Sequence, residues 1–224
     1  MLDGIIDTSK LSEVDRAILD DYRKSDRFTQ REEARDRVIQ GIIEYCAIQR
    51  QGKSTLAVRD MVILLPNYSP DDVYANFPIY IDGVHCLENL ELIEAVFKIF
   101  KDKLRRKIII FDEVGQELKA RQSWDKVQTE FVNNAWQMPK RGIVLLYCSN
   151  PGNSADIILR DATWKTVMPR YHKGDTWGED YITADVIFNY ELWIAHWTIE
   201  HIWPFQLLFD SWEPIESQLN KARG

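Results

Sequence analysis

The chain has 224 residues, enough for one α/β domain with a sizeable core. With 45% apolar and 28% charged residues it is not a disordered chain. Lys and Arg number 28 against 35 Asp and Glu, a net charge of −7, so general electrostatic adhesion to nucleic acid is excluded and any phosphate contact must come from a local basic patch.

Residues 1–40 are polar and charged. Ser12-x-x-Asp15 and Thr29-x-x-Glu32 have the form of capping boxes and predict two short helices in an N-terminal arm, either solvated on the main domain or packed on a neighbouring subunit. Met1-Leu2-Asp3-Gly4 has neither a basic nor an apolar region, so no secretory signal is expected. From residue 41 the pattern changes. Ile42 to Ile48 predicts a buried strand, Gln49 to Gly52 a loop, and Lys53 to Leu65 a helix stopped by Pro66. Asp72 to Ile81 predicts a second strand. Leu87 to Leu104 predicts an amphipathic helix, closed by the basic run Lys103, Arg105, Arg106 and Lys107 in accord with the helix dipole.

Ile108 to Phe111 and Ile143 to Cys148 are continuous apolar runs, which suit strands buried on both faces of a parallel sheet. Between them, Asp125 to Met138 predicts a helix with Val127, Phe131, Ala135 and Trp136 inward, ended by Pro139 and Gly142. Alternating strands and helices over 42–150 predict a doubly wound sheet. Beyond residue 160, Thr163 to Met168, Tyr181 to Tyr190, Leu192 to Ile199 and Phe205 to Phe209 predict a β-rich C-terminal extension, with turns at Lys173-Gly174-Asp175 and Glu179-Asp180. Five of the eight Trp (177, 193, 197, 203 and 212) fall in this third, where packing or a subunit interface is expected rather than base stacking. Val186 to Phe209 is interrupted by Asn189, Glu191, His196, Glu200, His201 and Pro204, so no integral membrane segment is expected. Cys46, Cys86 and Cys148 are odd in number and widely spaced, as for reduced thiols.

Ala47-Ile-Gln-Arg-Gln-Gly52-Lys53-Ser54-Thr55 matches the phosphate-binding loop G-x4-G-K-[ST], with Ala47 in place of the first glycine. Such a loop turns backbone N–H groups at a helix N-terminus towards phosphate oxygens. Gln49, Arg50, Gln51, Gly52, Lys53, Ser54 and Thr55 are therefore the nucleotide-binding candidates. Lys53 would reach the β- and γ-phosphates and Ser54 would ligate Mg²⁺. Ile108-Ile-Ile-Phe-Asp112-Glu113 has the form of a Walker B strand. Asp112 would hold the Mg²⁺ beside Ser54, and Glu113 would polarise the attacking water. Asn150, with Ser149 second, ends the next strand and could sit between the two motifs as a γ-phosphate sensor. Arg141 and Arg121 are candidates for an arginine supplied in trans.

Other classes lack their signatures. No [NT]-K-x-D motif and no L-S-G-G-Q stretch are present, and the β-rich C-terminal third leaves no room for an AAA+ lid. His196 and His201 do not make H-E-x-x-H, so no metal centre of that kind is expected.

Taken together, the loop 47–55, Val73-Tyr-Ala-Asn76-Phe77, Asp112-Glu113, Lys140-Arg141-Gly142 and Phe209-Asp-Ser-Trp-Glu213 resemble the small viral and plasmid members of the HerA/FtsK superfamily. The chain is most similar to genome-packaging ATPases of membrane-containing icosahedral viruses, and more loosely to zonula-occludens-toxin-like assembly ATPases of filamentous phages. The resemblance covers roughly residues 41–216, leaving 1–40 as the arm and 217–224 as a tail. It departs at Ala47 and at Ser149-Asn150, where the family usually has a glutamine.

The resemblance implies a three-layer, RecA/FtsK-like α/β fold with a mainly parallel central sheet. It also implies an ATP- and Mg²⁺-dependent enzyme that packages double-stranded DNA. It would act as a homo-oligomeric ring, a hexamer, in the host cytoplasm at the packaging vertex of the capsid, with a capsid-vertex or membrane protein as a further partner. The family's trans-acting arginine precedes the strand at 143, which favours Arg141 over Arg121. DNA contacts are expected from Lys119, Arg121 and Lys126, or from Lys165, Arg170 and Lys173. Alternatives are an assembly or export ATPase at a membrane, a non-hydrolysing nucleotide-binding module and, more weakly, a nucleotide or small-molecule kinase.

Overall fold

The computed structural model describes residues 39–112, 134–151, 157–176, 178–188 and 193–209. In chain order the elements are β1 (Ile42–Cys46), α1 (Lys53–Leu64), β2 (Val73–Ala75), β3 (His85–Cys86), α2 (Asn89–Lys101), β4 (Ile108–Phe111), β5 (Val144–Ser149), α3 (Ile157–Ala162), β6 (Lys165–His172), β7 (Tyr181–Phe188), β8 (Trp193–Ile199) and α4 (Trp203–Gln206).

The strands form one sheet in the order β3-β2-β4-β5-β1-β6-β7-β8. From β3 to β6 every neighbour runs parallel; β6, β7 and β8 then continue as antiparallel hairpins. The continuous apolar runs are explained by a core on each face. Ile43, Tyr45, Ile108, Ile110, Val144, Leu146 and Cys148 pack with α1 and α4 in one cluster. The alternate residues Ile42, Ile109, Phe111, Leu145 and Tyr147 pack with α2 and α3 in the other. A parallel strand covered on both faces cannot alternate apolar with polar, because neither face meets water. The β6–β8 hairpins do alternate: β7 reads buried at Ile182, Ala184, Val186 and Phe188 and half-buried between them.

Several elements differ from the sequence expectations. The second strand is three residues long. Pro78 has no N–H for a ladder, and the chain turns so that Ile79 bridges Phe209 antiparallel. The helix expected over 87–104 spans Asn89–Lys101. Glu88 N–H donates to Glu91 Oε2 at 3.1 Å at its start, and Leu104 N–H donates to Ile99 O at 2.9 Å beyond its end. The basic run thus lies in the following turn, with Lys103 and Arg106 at positive φ of 53° and 55°.

Trp136, expected inward, is 50% exposed, and the flanking Ala135 and Met138 take the buried positions. Phe205 to Phe209 is not a strand: Trp203 and Phe205 sit buried in the short helix α4, with Pro204 in its first turn. The strand β3 and the helix α3 have no counterpart in the sequence expectations, being too short to show a period. Trp197 and Trp203 pack on the α1-side core, as expected of packing residues. The arm before residue 39, most of the helix over 125–138, Trp177, Trp212 and the Phe209–Glu213 motif beyond its first residue lie outside the described residues.

The loop 47–52 follows the C-terminal end of β1, and β5 lies between β1 and β4. That is the three-layer, RecA-like arrangement of a P-loop NTPase, with an antiparallel extension beyond β6.

Candidate nucleotide site

Three parallel strands end at one edge, so their C-terminal residues converge. β1 delivers the loop 47–52, β5 delivers Ser149 and Asn150, and β4 delivers Asp112. The loop turns through two left-handed residues, Arg50 at φ 62° and Gly52 at φ 86°. Gly52 is required twice over. Its φ is one that side chains avoid, and a Cβ there would stand 2.4 Å from Ile182 Cδ1. Gly52 O then accepts Leu56 N–H at 3.0 Å, starting α1.

Ala47 is not among the positive-φ residues. Its N–H still reaches Ser149 O at 3.3 Å, so the loop leaves the ladder after position 47 and glycine is not needed there.

Lys53 is 7% exposed. Its Nζ donates to Ala47 O at 2.7 Å, Ile48 O at 3.1 Å and Asn150 Oδ1 at 2.8 Å. Three acceptors hold one ammonium at the mouth of the loop, which satisfies all of its donors. Ser54 Oγ donates to Asp112 Oδ2 at 2.8 Å. A hydroxyl and a carboxylate at this separation offer the hard oxygen donors that Mg²⁺ takes, and the backbone N–H groups at the start of the twelve-residue α1 offer a phosphate seat. The donor set therefore fits a magnesium–nucleotide complex. Cys148 lies beneath, its thiol pushed well up by burial and then by the nearby Asp112 charge.

The side chains of the remaining loop candidates are placed as follows, and their backbone N–H groups stay the part offered to phosphate. Gln51 Oε1 accepts Tyr171 N–H at 3.1 Å, tying the loop to β6 rather than aiming at a ligand. Thr55 is buried, and Gln49 and Arg50 are exposed. Ser149, the second sensor candidate, faces away: its Oγ donates to Glu44 Oε1 at 2.7 Å, and Thr166 Oγ1 donates to Glu44 Oε2 at 3.1 Å.

In the sequence Asn76 stands only as one residue of the motif 73–77, with nothing to assign it a role. Asn76 is 4% exposed and grips the main chain of Asp112 with both ends of its amide. Asp112 N–H donates to Asn76 Oδ1 at 2.6 Å, and Asn76 Nδ2 donates to Asp112 O at 2.8 Å and to Asn89 Oδ1 at 2.6 Å. The available signal was an amide at the end of the strand next to Walker B. Glu44, a lone acid inside an apolar strand, was a second signal left unread.

Arg141 precedes β5 and so lies at the opposite edge of the sheet from Lys53. Its guanidinium stacks on Phe100 with 5.3 Å to the ring centroid and donates to Phe100 O at 3.2 Å and Gln137 Oε1 at 3.1 Å.

Lys165 is not a surface cation, contrary to expectation. It is 0% exposed, with its Nζ 5.6 Å and 4.9 Å from the ring centroids of Trp164 and Trp197, because its position on β6 faces the core. Arg170 is exposed and pairs with Asp185 at 3.4 Å; Lys173 is exposed in the following turn. Glu113, Lys119, Arg121 and Lys126 lie outside the described residues. No described helix is long and apolar enough to cross a membrane.

No family model and no curated protein matches the chain. Among solved structures it is similar to the N-terminal domain of zonular occludens toxin from Neisseria meningitidis, at 16% identity and TM-score 0.49 over 77% of this chain and 100% of that one. It is similar to the genome packaging NTPase B204 from Sulfolobus turreted icosahedral virus 2 in complex with ATP-γS, at 12% identity and TM-score 0.48 over 71% and 97%. It is also similar to a KaiC-like protein from Pyrococcus horikoshii OT3, at 9% identity and TM-score 0.46 over 70% and 83%. At such identities and scores the likeness carries no argument about chemistry, which rests on the distances given above.

Proposed function

We propose that the chain is a Mg²⁺-dependent ATPase that translocates double-stranded DNA as a homo-oligomeric ring, a hexamer, and packages a viral genome. One observation supports the ATPase reading above all others. Lys53 with Asn150, and Ser54 with Asp112, are brought into hydrogen-bond contact from the ends of three adjacent strands. Chance polar caps would not converge on one loop in this way.

In this reading the N–H groups of the loop and of the first turn of α1 bind the phosphates, and Lys53 places its charge on the β- and γ-phosphates. Ser54 and Asp112 would hold Mg²⁺, which neutralises charge developing on the phosphates. Glu113, next in the chain after Asp112, orients the attacking water. Asn150 holds the Lys53 ammonium and lies where a γ-phosphate would alter that hydrogen bond. An arginine from a neighbouring copy completes the site. Arg141 is preferred to Arg121 for that role, since it stands at the edge of the sheet away from its own Lys53. The packaging reading rests on the sequence resemblance, and places the ring in the host cytoplasm at a capsid vertex, docked on a capsid or membrane protein.

Turnover of ATP by the wild type, lost in Lys53→Ala and Glu113→Gln and stimulated by duplex DNA, is the expected result. No turnover would leave a nucleotide-binding module. Turnover that duplex neither binds nor stimulates would remove DNA translocation.

A further inference from the structure

We propose that the turn joining α2 to β4, with the turn before β5, forms a contact surface for the phosphate backbone of duplex DNA. This rests on the DNA-translocase reading and adds to it a surface that the sequence candidates did not include.

Between residues 98 and 107 the sequence places six cations against one acid, in a chain whose net charge is −7. The fold gathers these charges instead of dispersing them. Arg106 N–H donates to Arg141 O at 3.0 Å, and Val144 N–H donates to Lys107 O at 2.9 Å, so the two turns are stitched together and Lys140 joins the cluster.

Lys98 lies exposed in the last turn of α2, and the cations of the two turns beyond it divide into two kinds. Arg106 is anchored on the Asn67 carbonyl and over the Tyr68 ring, and Lys107 is paired with Asp72 at 2.5 Å. Lys101, Lys103, Arg105 and Lys140 are exposed and form no ion pair among the described residues. The anchored pair fixes the backbone that presents the free ones. Lys103 and Arg106 hold left-handed backbone that glycine would take without strain.

Both turns enter strands at their N-terminal ends. The surface is therefore at the opposite edge of the parallel sheet from the chain's own nucleotide site; Arg141, packed on Phe100, is the cation of these turns assigned to a neighbour's site, and Lys101, Lys103, Arg105 and Lys140 are not needed to hold nucleotide. Clustered lysines and arginines with no acidic partner among the described residues are the chemistry that displaces counterions from a phosphate backbone. A lipid surface fits less well: Leu104, at 38% exposed, is the one large apolar residue that the α2–β4 turn exposes.

The test is the salt dependence of binding to a short duplex, for the full chain and for Lys101→Gln/Lys103→Gln/Arg105→Gln. Three lost phosphate contacts lower the slope of log K against log salt by about 2.7, and adding Lys140→Gln lowers it by roughly 0.9 more. Hydrolysis without DNA and the thermal midpoint stay unchanged, and Lys101→Arg/Lys103→Arg/Arg105→Lys keeps the wild-type slope. Wild-type binding with an unchanged slope in the Gln triple variant overturns this surface while leaving DNA translocation standing. Failure of the wild type to bind duplex overturns both. Loss of binding to phosphatidylserine vesicles, with duplex binding intact, reassigns the surface to lipid and overturns the proposal.

Discussion

Asn76→Ala tests whether the carboxylate of Asp112 is held in place from the neighbouring strand. The substitution removes one side chain and three hydrogen bonds of 2.6 to 2.8 Å. It leaves the N–H and the carbonyl of Asp112 without those partners next to a site that is 4% exposed at Asn76. A buried polar group left unsatisfied costs about 1–3 kcal/mol, so two main-chain groups cost roughly 2–6 kcal/mol, with water entering the vacated space holding the loss to the lower half. For a chain of this length each kcal/mol moves the thermal midpoint by about 2–4 °C, which makes the shift measurable by calorimetry.

The functional readout is separate. Asp112 no longer stands fixed beside Ser54, so the gain in nucleotide affinity on adding Mg²⁺ shrinks, while affinity in chelator stays near wild type. Asn76→Asp sharpens the comparison. Its carboxylate still accepts from Asp112 N–H, but faces the oxygens of Asp112 and Asn89 and adds a negative charge beside Asp112. It is expected to lose more than the alanine variant. A midpoint within error of wild type, with the Mg²⁺ dependence intact in Asn76→Ala, would refute the clamp.

Other substitutions follow from the same geometry. Gly52→Ala meets both a φ of 86° and Ile182, so nucleotide binding is lost with a stability cost of about 1–3 kcal/mol; in Gly52→Ala/Ile182→Ala the contact is relieved but the backbone cost stays, and denaturant unfolding reads the partial recovery. Lys165→Met alters stability and leaves duplex affinity unchanged, because the ammonium is inside the core; a drop in affinity with the fold intact would return Lys165 to the surface. Ser149→Ala destabilises by about 1 kcal/mol through Glu44 and leaves the nucleotide affinity of the Lys53–Asn150 pair, whereas Asn150→Ala lowers turnover with little loss of stability. Tyr171 is pushed up to about 12, by burial and then by its hydrogen bond to Asp180. The folded state thus keeps a proton that the unfolded chain releases near pH 10, and its contribution is complete below that and falls away between pH 10 and 12. Tyr171→Phe flattens that part of the stability profile.

What the sequence determined by itself was whatever depends on neighbours along the chain. Continuous apolar runs placed β1, β4 and β5, because a strand covered on both faces must be apolar throughout. The loop 47–55 and Asp112 were legible because phosphate and Mg²⁺ chemistry demands particular residue types at short spacing. Elements of two to six residues, such as β3, α3 and α4, carry too few positions to show a period, and Pro78 cut β2 short through an N–H it does not have.

The tertiary structure decided which side chains meet. Asn76 and Asp112 are far apart in sequence and adjacent only because β2 pairs with β4. Ser149 and Asn150 look interchangeable as text, yet the strand's alternation sends one to Glu44 and the other to Lys53. The lysines illustrate the same division. Composition measured how acidic the chain is, but only the pairing of strands could place Lys165 in the core and gather Lys101, Lys103, Arg105 and Lys140 at one edge. Charge is a property of residues, whereas an electrostatic surface is a property of where the backbone puts them.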